Sequence, residues 1–355
     1  MRRVAENVLF PRKNDKKSFM KNYLIFILAA LTITSGCGKK LPKQETKGFK
    51  TGLVFDVGGR GDKSFNDGAY RGLERSKTEL GIDFEYIEPG PGADREAALR
   101  QLATRDDIQL ILGIGFIFTD DITNIAKEFP QKKFACVDYT YDPAKPLPSN
   151  LVALNFKEEE GSFLVGALAA LISKTNIIGF IGGMQSPLIK KFEAGYVSGA
   201  KFVNPKCEVL ISYAGVSGDA FKNPGKGKEL ALGQISRGAD IIYHASGVTG
   251  LGVIEAAREK QKLVIGVDSD QYHEAPGYIL TSMTKVVDNS VFETIKKVKE
   301  GTFEGGRSIL FDLKSKGIDY VYNQYNKDLI PADVHQKVED IRSKIIAGEI
   351  KVPNQ

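Results

Sequence analysis

From residue 52 onward, short apolar runs stop at an acid or a glycine, and each is followed by a polar loop and then by small and apolar residues at helical spacing. The first run, Gly52-Leu53-Val54-Phe55, ends at Asp56, and a glycine-rich turn leads into a helix predicted from Phe65 to about Leu80. A strand at Phe84–Ile87 enters the turn Pro89-Gly90-Pro91-Gly92, and Asp94 is placed to cap a helix carrying Ala97, Ala98, Leu99 and Leu102. The strand Leu110–Ile114 ends at Gly115-Phe116, a helix follows near Asp120–Phe129, and the next strand ends at Asp138. Asn150–Phe156 reads as a strand crossing into a second lobe, which opens with the helix Gly161–Ser173. That helix is apolar nearly all round but too short to span a bilayer, so a buried interface helix is predicted.

Strands near 177–182, 207–212, 240–244 and 263–267 follow, with helices between them. Ile279–Lys285 is expected to recross, Ser308–Leu313 to cross once more, and a helix at Pro331–Ala347 to pack on the second lobe. Strands alternating with helices imply parallel sheets with right-handed crossovers. The expected α/β organisation is two Rossmann-like lobes, 51–153 with 280–307 and 154–279 with 308–355, joined by a three-crossing hinge that permits closure and restrains twist.

The two lobes echo each other. Phe65-Asn66-Asp67-Gly68-Ala69-Tyr70-Arg71-Gly72 and Phe192-Glu193-Ala194-Gly195-Tyr196-Val197-Ser198-Gly199 both carry phenylalanine, then glycine three and seven residues later. Gln109-Leu110-Ile111-Leu112 answers Asp240-Ile241-Ile242-Tyr243, and Cys136-Val137-Asp138 answers Gly266-Val267-Asp268. An ordered triple of this kind predicts similar lobes with a ligand cleft between them.

Composition alters this picture only at the margins. The net charge of +5 over 355 residues is small, and the lysines form no stripe interleaved with aromatics, so nucleic-acid binding has no support. Residues 1–36 read as a signal peptide whose apolar core is Leu24–Ile33, with translation expected to begin at Met20. Thr34-Ser35-Gly36-Cys37 resembles a bacterial lipobox, which makes Cys37 the lipidated mature N-terminus and 37–50 a flexible tether. Cys136 and Cys207 are expected to be buried free thiols.

Catalytic constellations are thin. His244, His273 and His335 lack metal spacing and are assigned surface or structural roles; no Gly-x-Ser-x-Gly elbow occurs, and Gly225-Lys226-Gly227-Lys228 lacks the parts of a phosphate loop. What converges is a binding set. Asp56, Asp138 and Asp268 end strands, Gly115 and Phe116 close another, Phe65 and Phe192 open the paired helices with Asn66 beside the first, Gly247 begins a turn into a helix N-terminus, and Lys285 ends a crossing strand. One strand-ending aspartate is as readily a cap or turn former; three together favour a ligand. Carboxylates bind vicinal hydroxyls and opposed rings sandwich a flat heterocycle, a combination that points to a neutral nucleoside and disfavours an anionic nucleotide. If Phe192 is instead a core residue, Phe116 and Phe221 are the next candidates for the second ring.

These segments, together with Gly179-Phe180-Ile181-Gly182-Gly183-Met184, Gly266-Val267-Asp268-Ser269-Asp270-Gln271 and Thr281-Ser282-Met283 before Lys285, resemble the basic membrane protein lipoproteins, the group that includes the purine nucleoside receptor A-like proteins. The resemblance implies a type I periplasmic-binding-protein fold, no enzymatic activity, no cofactor, and delivery of purine nucleosides to the permease and ATPase of an ABC importer. By carry-over, Phe65 stacks on the base, Asn66 and Asp138 touch base edges, and Asp268 with Lys285 holds the ribose. Two departures from the family's pattern are Ser246-Gly247-Val248-Thr249 and the aromatics of Tyr139-Thr140-Tyr141. The chain is expected to be a monomer held to the membrane by its lipid. Competing readings are a surface adhesin or host-factor binder, a binder of another small polar ligand, a sugar-responsive repressor, against which the secretion signal argues, and a nucleoside hydrolase, whose acids would cluster in one motif.

Overall fold

The structure, a computed structural model, describes residues 49–90 and 94–355. The expected leader at 1–36, the Met20 start, Cys37, nearly all of the 37–50 tether and residues 91–92 of the expected turn lie outside the described residues.

The chain runs through β1 (Lys50–Val54), α1 (Phe65–Leu80), β2 (Asp83–Ile87), α2 (Arg95–Ala103), β3 (Ile108–Ile114), α3 (Thr119–Glu128), β4 (Lys133–Val137) and β5 (Leu151–Phe156). It continues with α4 (Glu158–Ile172), β6 (Ile177–Met184), α5 (Pro187–Val203), β7 (Glu208–Gly215), α6 (Pro224–Ser236), β8 (Ile241–Ala245), α7 (Thr249–Glu259), β9 (Leu263–Asp268) and β10 (Ile279–Lys285). Last come α8 (Val287–Lys299), β11 (Arg307–Phe311), β12 (Ile318–Tyr320) and α9 (Ala332–Ile346).

One sheet has the order β11-β5-β4-β3-β1-β2 and the other β12-β10-β9-β8-β6-β7. Replacing β1–β5 by β6–β10 and β11 by β12 turns one order into the other, so the echo heard in three strands extends across both sheets. They differ at one edge, where β11 joins β5 in parallel and β12 joins β10 antiparallel. In each sheet the chain reverses its direction of winding on either side of the first strand, and ligands of open α/β sheets bind beyond the carboxyl ends of strands at that point.

The chain passes between the sheets three times, but later than expected. β5 belongs wholly to the first sheet, β10 pairs with β9 and β12 in the second, and β11 pairs with β5 in the first. Ile279–Lys285 therefore does not recross, and the sheet changes follow residues 156, 285 and 311 rather than 153, 279 and 307. Each strand that leads to the hinge satisfies its backbone in the sheet it is leaving, so the crossing occurs at its end.

α4 starts three residues earlier than the apolar run suggests and is buried from Glu158 to Ala170, the interface helix that was predicted. No helix among the described residues is long and apolar enough to cross a membrane. Cys136 and Cys207 are free and buried.

The shared glycine spacing has a packing cause. α1 lies against α8 and α5 against α4. A Cβ at Gly72 would stand 2.5 Å from the Asp288 carbonyl oxygen, and one at Gly199 1.9 Å from that of Phe163. These glycines let helix backbones touch. Phe192 does not open its helix as Phe65 does: α5 begins at Pro187, where the Ser186 hydroxyl accepts from Ile189 N at 3.3 Å, and this places Phe192 in the second turn.

Candidate ligand-binding cleft

Between the two sets of strand ends lies a cleft. From the first lobe it is lined by Asp56, Phe65, Asn66, Phe116 and Asp138, and from the second by Phe192, Gly247, Asp268 and Lys285. Gly115 does not line it. With φ of 109° and a would-be Cβ 2.4 Å from Asp56 Oδ2, Gly115 sits behind Asp56, and any side chain there would displace the acid.

The lobes touch around the cleft. Arg71 donates to Ser269 Oγ at 2.8 Å, Ser269 Oγ donates to the Ser64 carbonyl at 3.0 Å, and the Phe116 and Phe221 rings meet edge to face at 6.4 Å. The Lys285 ammonium is 5.1 Å from the Phe65 ring centroid and 5.7 Å from that of Phe192, so both rings expected to stack converge on one point. Phe65 is half-buried, whereas Phe192 is nearly sealed.

Lys285 organises the charge. Its Nζ donates to the Asp138 carboxylate at 2.6 Å and to Glu158 Oε1 at 3.0 Å, and Glu158 is itself fully buried, with Lys191 Nζ 3.2 Å away. Asp138 directly follows β4, Glu158 opens α4 and Lys285 closes β10, so this ion pair network ties the first lobe to the second at the hinge. Burial works against the Lys285 charge, yet Asp138, Glu158 and Asp268 together hold its pKa above the ordinary lysine range. Burial also pushes Asp138 up to about 6 against the pull of Lys285. At neutral pH the pair is ionised, because a 2.6 Å contact with an ammonium keeps the carboxylate charged.

The other two acids are less fully compensated. Burial pushes Asp56 up to about 7, with the Val57 N–H, which donates to its Oδ1 at 2.6 Å, opposing. Asp268 is also pushed up to about 7, by burial first and against the attraction of Lys285. As a residue Asp268 is only half-buried, but its Oδ1 is cut off from solvent and has no hydrogen-bond partner. Asp138, directly after β4, and Asp268, the last residue of β9, occupy equivalent places, and both adopt left-handed backbone, φ 62° and 63°. Such conformations at non-glycine residues are held only where the surroundings fix them, often at functional sites.

Asn66 accepts from the Asp56 N–H through its amide oxygen at 3.2 Å and lines the cleft. Asp62, which was not expected, caps α1: its carboxylate accepts from the N–H groups of Ser64, Asn66 and Asp67 at 3.0, 2.8 and 3.1 Å. Phe221 and Ser246 also line the cleft. Phe221 was only a reserve candidate; its ring fills the space beside Gly183, where a Cβ would lie 2.2 Å from it. The glycine at the end of an apolar run was the available signal.

Behind the cleft, His244 is fully buried, faces Gln271 Oε1 at 3.1 Å through Nε2, and is held near 4 by burial, hence neutral. Gln271 Oε1 also accepts from Val267 N at 2.9 Å, so this pair fixes the strand end that carries Asp268. His244 is structural, as expected. Among the described residues no group of His, Cys, Asp and Glu is arranged to hold a metal.

Two lobes of equal strand order, closing on a polar and aromatic cleft at their hinge, define a two-lobed solute-binding protein of the type I periplasmic class. The chain belongs to the family of PnrA-like ABC transporter substrate-binding proteins, whose family model matches residues 49–355. It is 36% identical over 367 residues to the CD4+ T-cell-stimulating antigen of Listeria monocytogenes, covering 96% of this chain and 99% of that one. It is also 36% identical over 339 residues to basic membrane protein A1 of Borrelia garinii subsp. bavariensis, with 94% and 96% covered. Among solved structures, it resembles an ABC transporter system solute-binding protein of Aeropyrum pernix K1 with a TM-score of 0.79 at 28% identity, covering 86% of this chain and 94% of that one.

Proposed function

We propose that this chain is an extracytoplasmic, lipid-anchored receptor that captures purine nucleosides in the interlobe cleft and hands them to an ABC importer. The observation that carries this is the pairing, in one cleft, of an unpartnered Asp268 Oδ1 with the rings of Phe65, Phe192 and Phe221. A buried carboxylate oxygen without a donor suits a ligand hydroxyl, and converging rings suit a flat base. Phe65 stacks on the base, Asn66 offers its NH2 to a base acceptor, and Asp138 reaches the base edge while it holds Lys285. Asp268 and Lys285 take the ribose. Asp56 and Gly247 complete the enclosure. Cys37 carries the lipid, and the hinge network transmits closure.

Calorimetric titration with nucleosides, free bases, ribose and nucleoside monophosphates tests this, with chromatography of the mixtures for products. Purine nucleosides are expected to bind, with bases and ribose each weaker and the monophosphates repelled by the acids. Equal affinity for a free sugar, or cleavage of the glycosidic bond, would sink the proposal.

A further inference from the structure

Ser246 follows β8, and Asp268 closes β9. These strands pair in parallel with Ile241 opposite Leu263, Ile242 opposite Val264 and Tyr243 opposite Ile265. Extended three residues past the last observed pair, that register brings Ser246 to the level of Asp268 at the ends of the two neighbouring strands. Both residues line the cleft, and neither Ser246 Oγ nor Asp268 Oδ1 has a hydrogen-bond partner.

A serine just before a helix ordinarily caps it or ties down the adjoining loop. Ser246, 1% exposed, does neither. Val248 holds the cap position of α7 without any side-chain bond. The turn closes on its own backbone, Gly250 N donating to the Gly247 carbonyl and Leu251 N to that of Val248. The loop is tied by Thr249 instead, whose hydroxyl donates to the Ala220 carbonyl at 2.7 Å and accepts from Asn223 N at 2.8 Å. Ser246 is thus a hydroxyl removed from water, on a residue that lines the same cleft as Asp268 with its equally unpartnered carboxylate oxygen. Native structures leave few such groups unsatisfied, and two at the ends of neighbouring strands in one cleft suit two hydroxyls of one ligand.

We propose that Ser246 is a specificity-determining residue that forms, with Asp268, a two-point clamp for the vicinal hydroxyls of a ribosyl group. Asp268 accepts from one hydroxyl and Ser246 exchanges a hydrogen bond with the other. This rests on the nucleoside assignment above and adds to it that the 2′ and 3′ hydroxyls are read separately, so ribosides are selected over deoxyribosides by a hydroxyl as well as by a charge.

The test is a cycle between protein and ligand. The full chain, purified in detergent, is titrated as wild type and as Ser246→Ala with adenosine, guanosine and their 2′-deoxy, 3′-deoxy and 5′-deoxy forms. Ser246→Ala is expected to weaken the parent nucleoside about 2- to 13-fold. The wild type is expected to lose about 5- to 150-fold when the hydroxyl facing Ser246 is removed, because the protein group is then left unpaired. In Ser246→Ala that loss shrinks by the same factor as the parent lost, while the 5′-deoxy forms show no such coupling. Unchanged affinity of Ser246→Ala, or an equal weakening of all four forms, overturns the clamp and leaves Ser246 structural. Wild-type protein that binds neither adenosine nor guanosine overturns the nucleoside assignment itself, a different result. Should Ser246→Ala melt well below wild type, Ser246→Cys, which keeps the shape and weakens the hydrogen bond, carries the same cycle.

Discussion

Asp268→Asn separates a ligand role from a structural one, because the two predict opposite signs. The substitution keeps the side chain's size and removes its charge. In the wild type the pKa rises from an ordinary 3.8 to about 7, so the group favours the folded state below pH 3.8 and this contribution is lost as pH climbs through 7. At 1.36 kcal/mol per pH unit the whole loss is at most about 4 kcal/mol, and the half-exposed part of the residue reduces it. Asparagine carries no such loss. The melting temperature of ligand-free Asp268→Asn should therefore match or exceed that of wild type, with the gap widening by several degrees from pH 5 to pH 8.

Affinity moves the other way. A charge-assisted bond from a sugar hydroxyl to a buried carboxylate is worth about 1.5–3 kcal/mol, so losing one weakens a nucleoside about 10- to 150-fold and leaves a free base nearly unaffected. Hydroxyl donors also favour the ionised acid, so binding near pH 7 should release protons, read as a dependence of the calorimetric enthalpy on buffer ionisation. Melting curves at two pH values and titrations with a nucleoside and its base are sufficient. A variant that melts lower at every pH and binds nucleosides unchanged would refute the ligand role.

Lys285→Met removes the partner of buried Asp138 and Glu158 and should cost about 3–5 kcal/mol of stability. Without the ammonium, the folded Asp138 pKa rises further, so the deficit should shrink as pH falls below it; a loss under about 1 kcal/mol that ignores pH, measured by denaturant titration, would contradict a buried pair. Phe65→Ala should weaken nucleosides about 5- to 150-fold with little change in melting, since the ring is half-buried. Phe192→Ala should lower stability by about 3–5 kcal/mol because the ring is 3% exposed, and comparing its affinity with that of Phe221→Ala decides which ring opposes Phe65. Cys37→Ser should shift the protein from the membrane fraction to the soluble one, and an unaltered distribution together with no acyl mass on the wild type would exclude the anchor.

The strand ends were legible because an apolar run that stops at aspartate in an alternating βα pattern leaves few other places for the acid. Asp56, Asp138 and Asp268 accordingly stand in the cleft. Asp62 and Ser246 were not, and Phe221 was legible only as a reserve for the second ring, since their placement depends on how loops fold back. Phe221 follows β7 and reaches the cleft only because Gly183 makes room for it. Asp62 matters because three N–H groups turn toward it. Ser246 stands in the sequence only as part of a departure from the family's pattern, and its lack of a partner is visible only in the structure.

The glycine spacing shared by the two lobes carries the broader point. It suggested that Phe65 and Phe192 are equivalent, yet the glycines at 72 and 199 record helix contacts, to α8 and α4 respectively, while the helices begin at different distances before the two rings. What the lobes share at the cleft is instead the left-handed aspartate at the end of the fourth strand of each, at φ 62° and 63°. That conformation disfavours an L-residue by about 1–2 kcal/mol and brings no packing gain to a polar side chain. It occurs twice, and the two aspartates differ in their company: Asp138 accepts from Lys285 Nζ at 2.6 Å, whereas Asp268 has no such contact and is the acid proposed above to meet a ligand. An internal repeat thus preserves scaffold geometry more faithfully than it preserves the identity of the groups that meet a ligand.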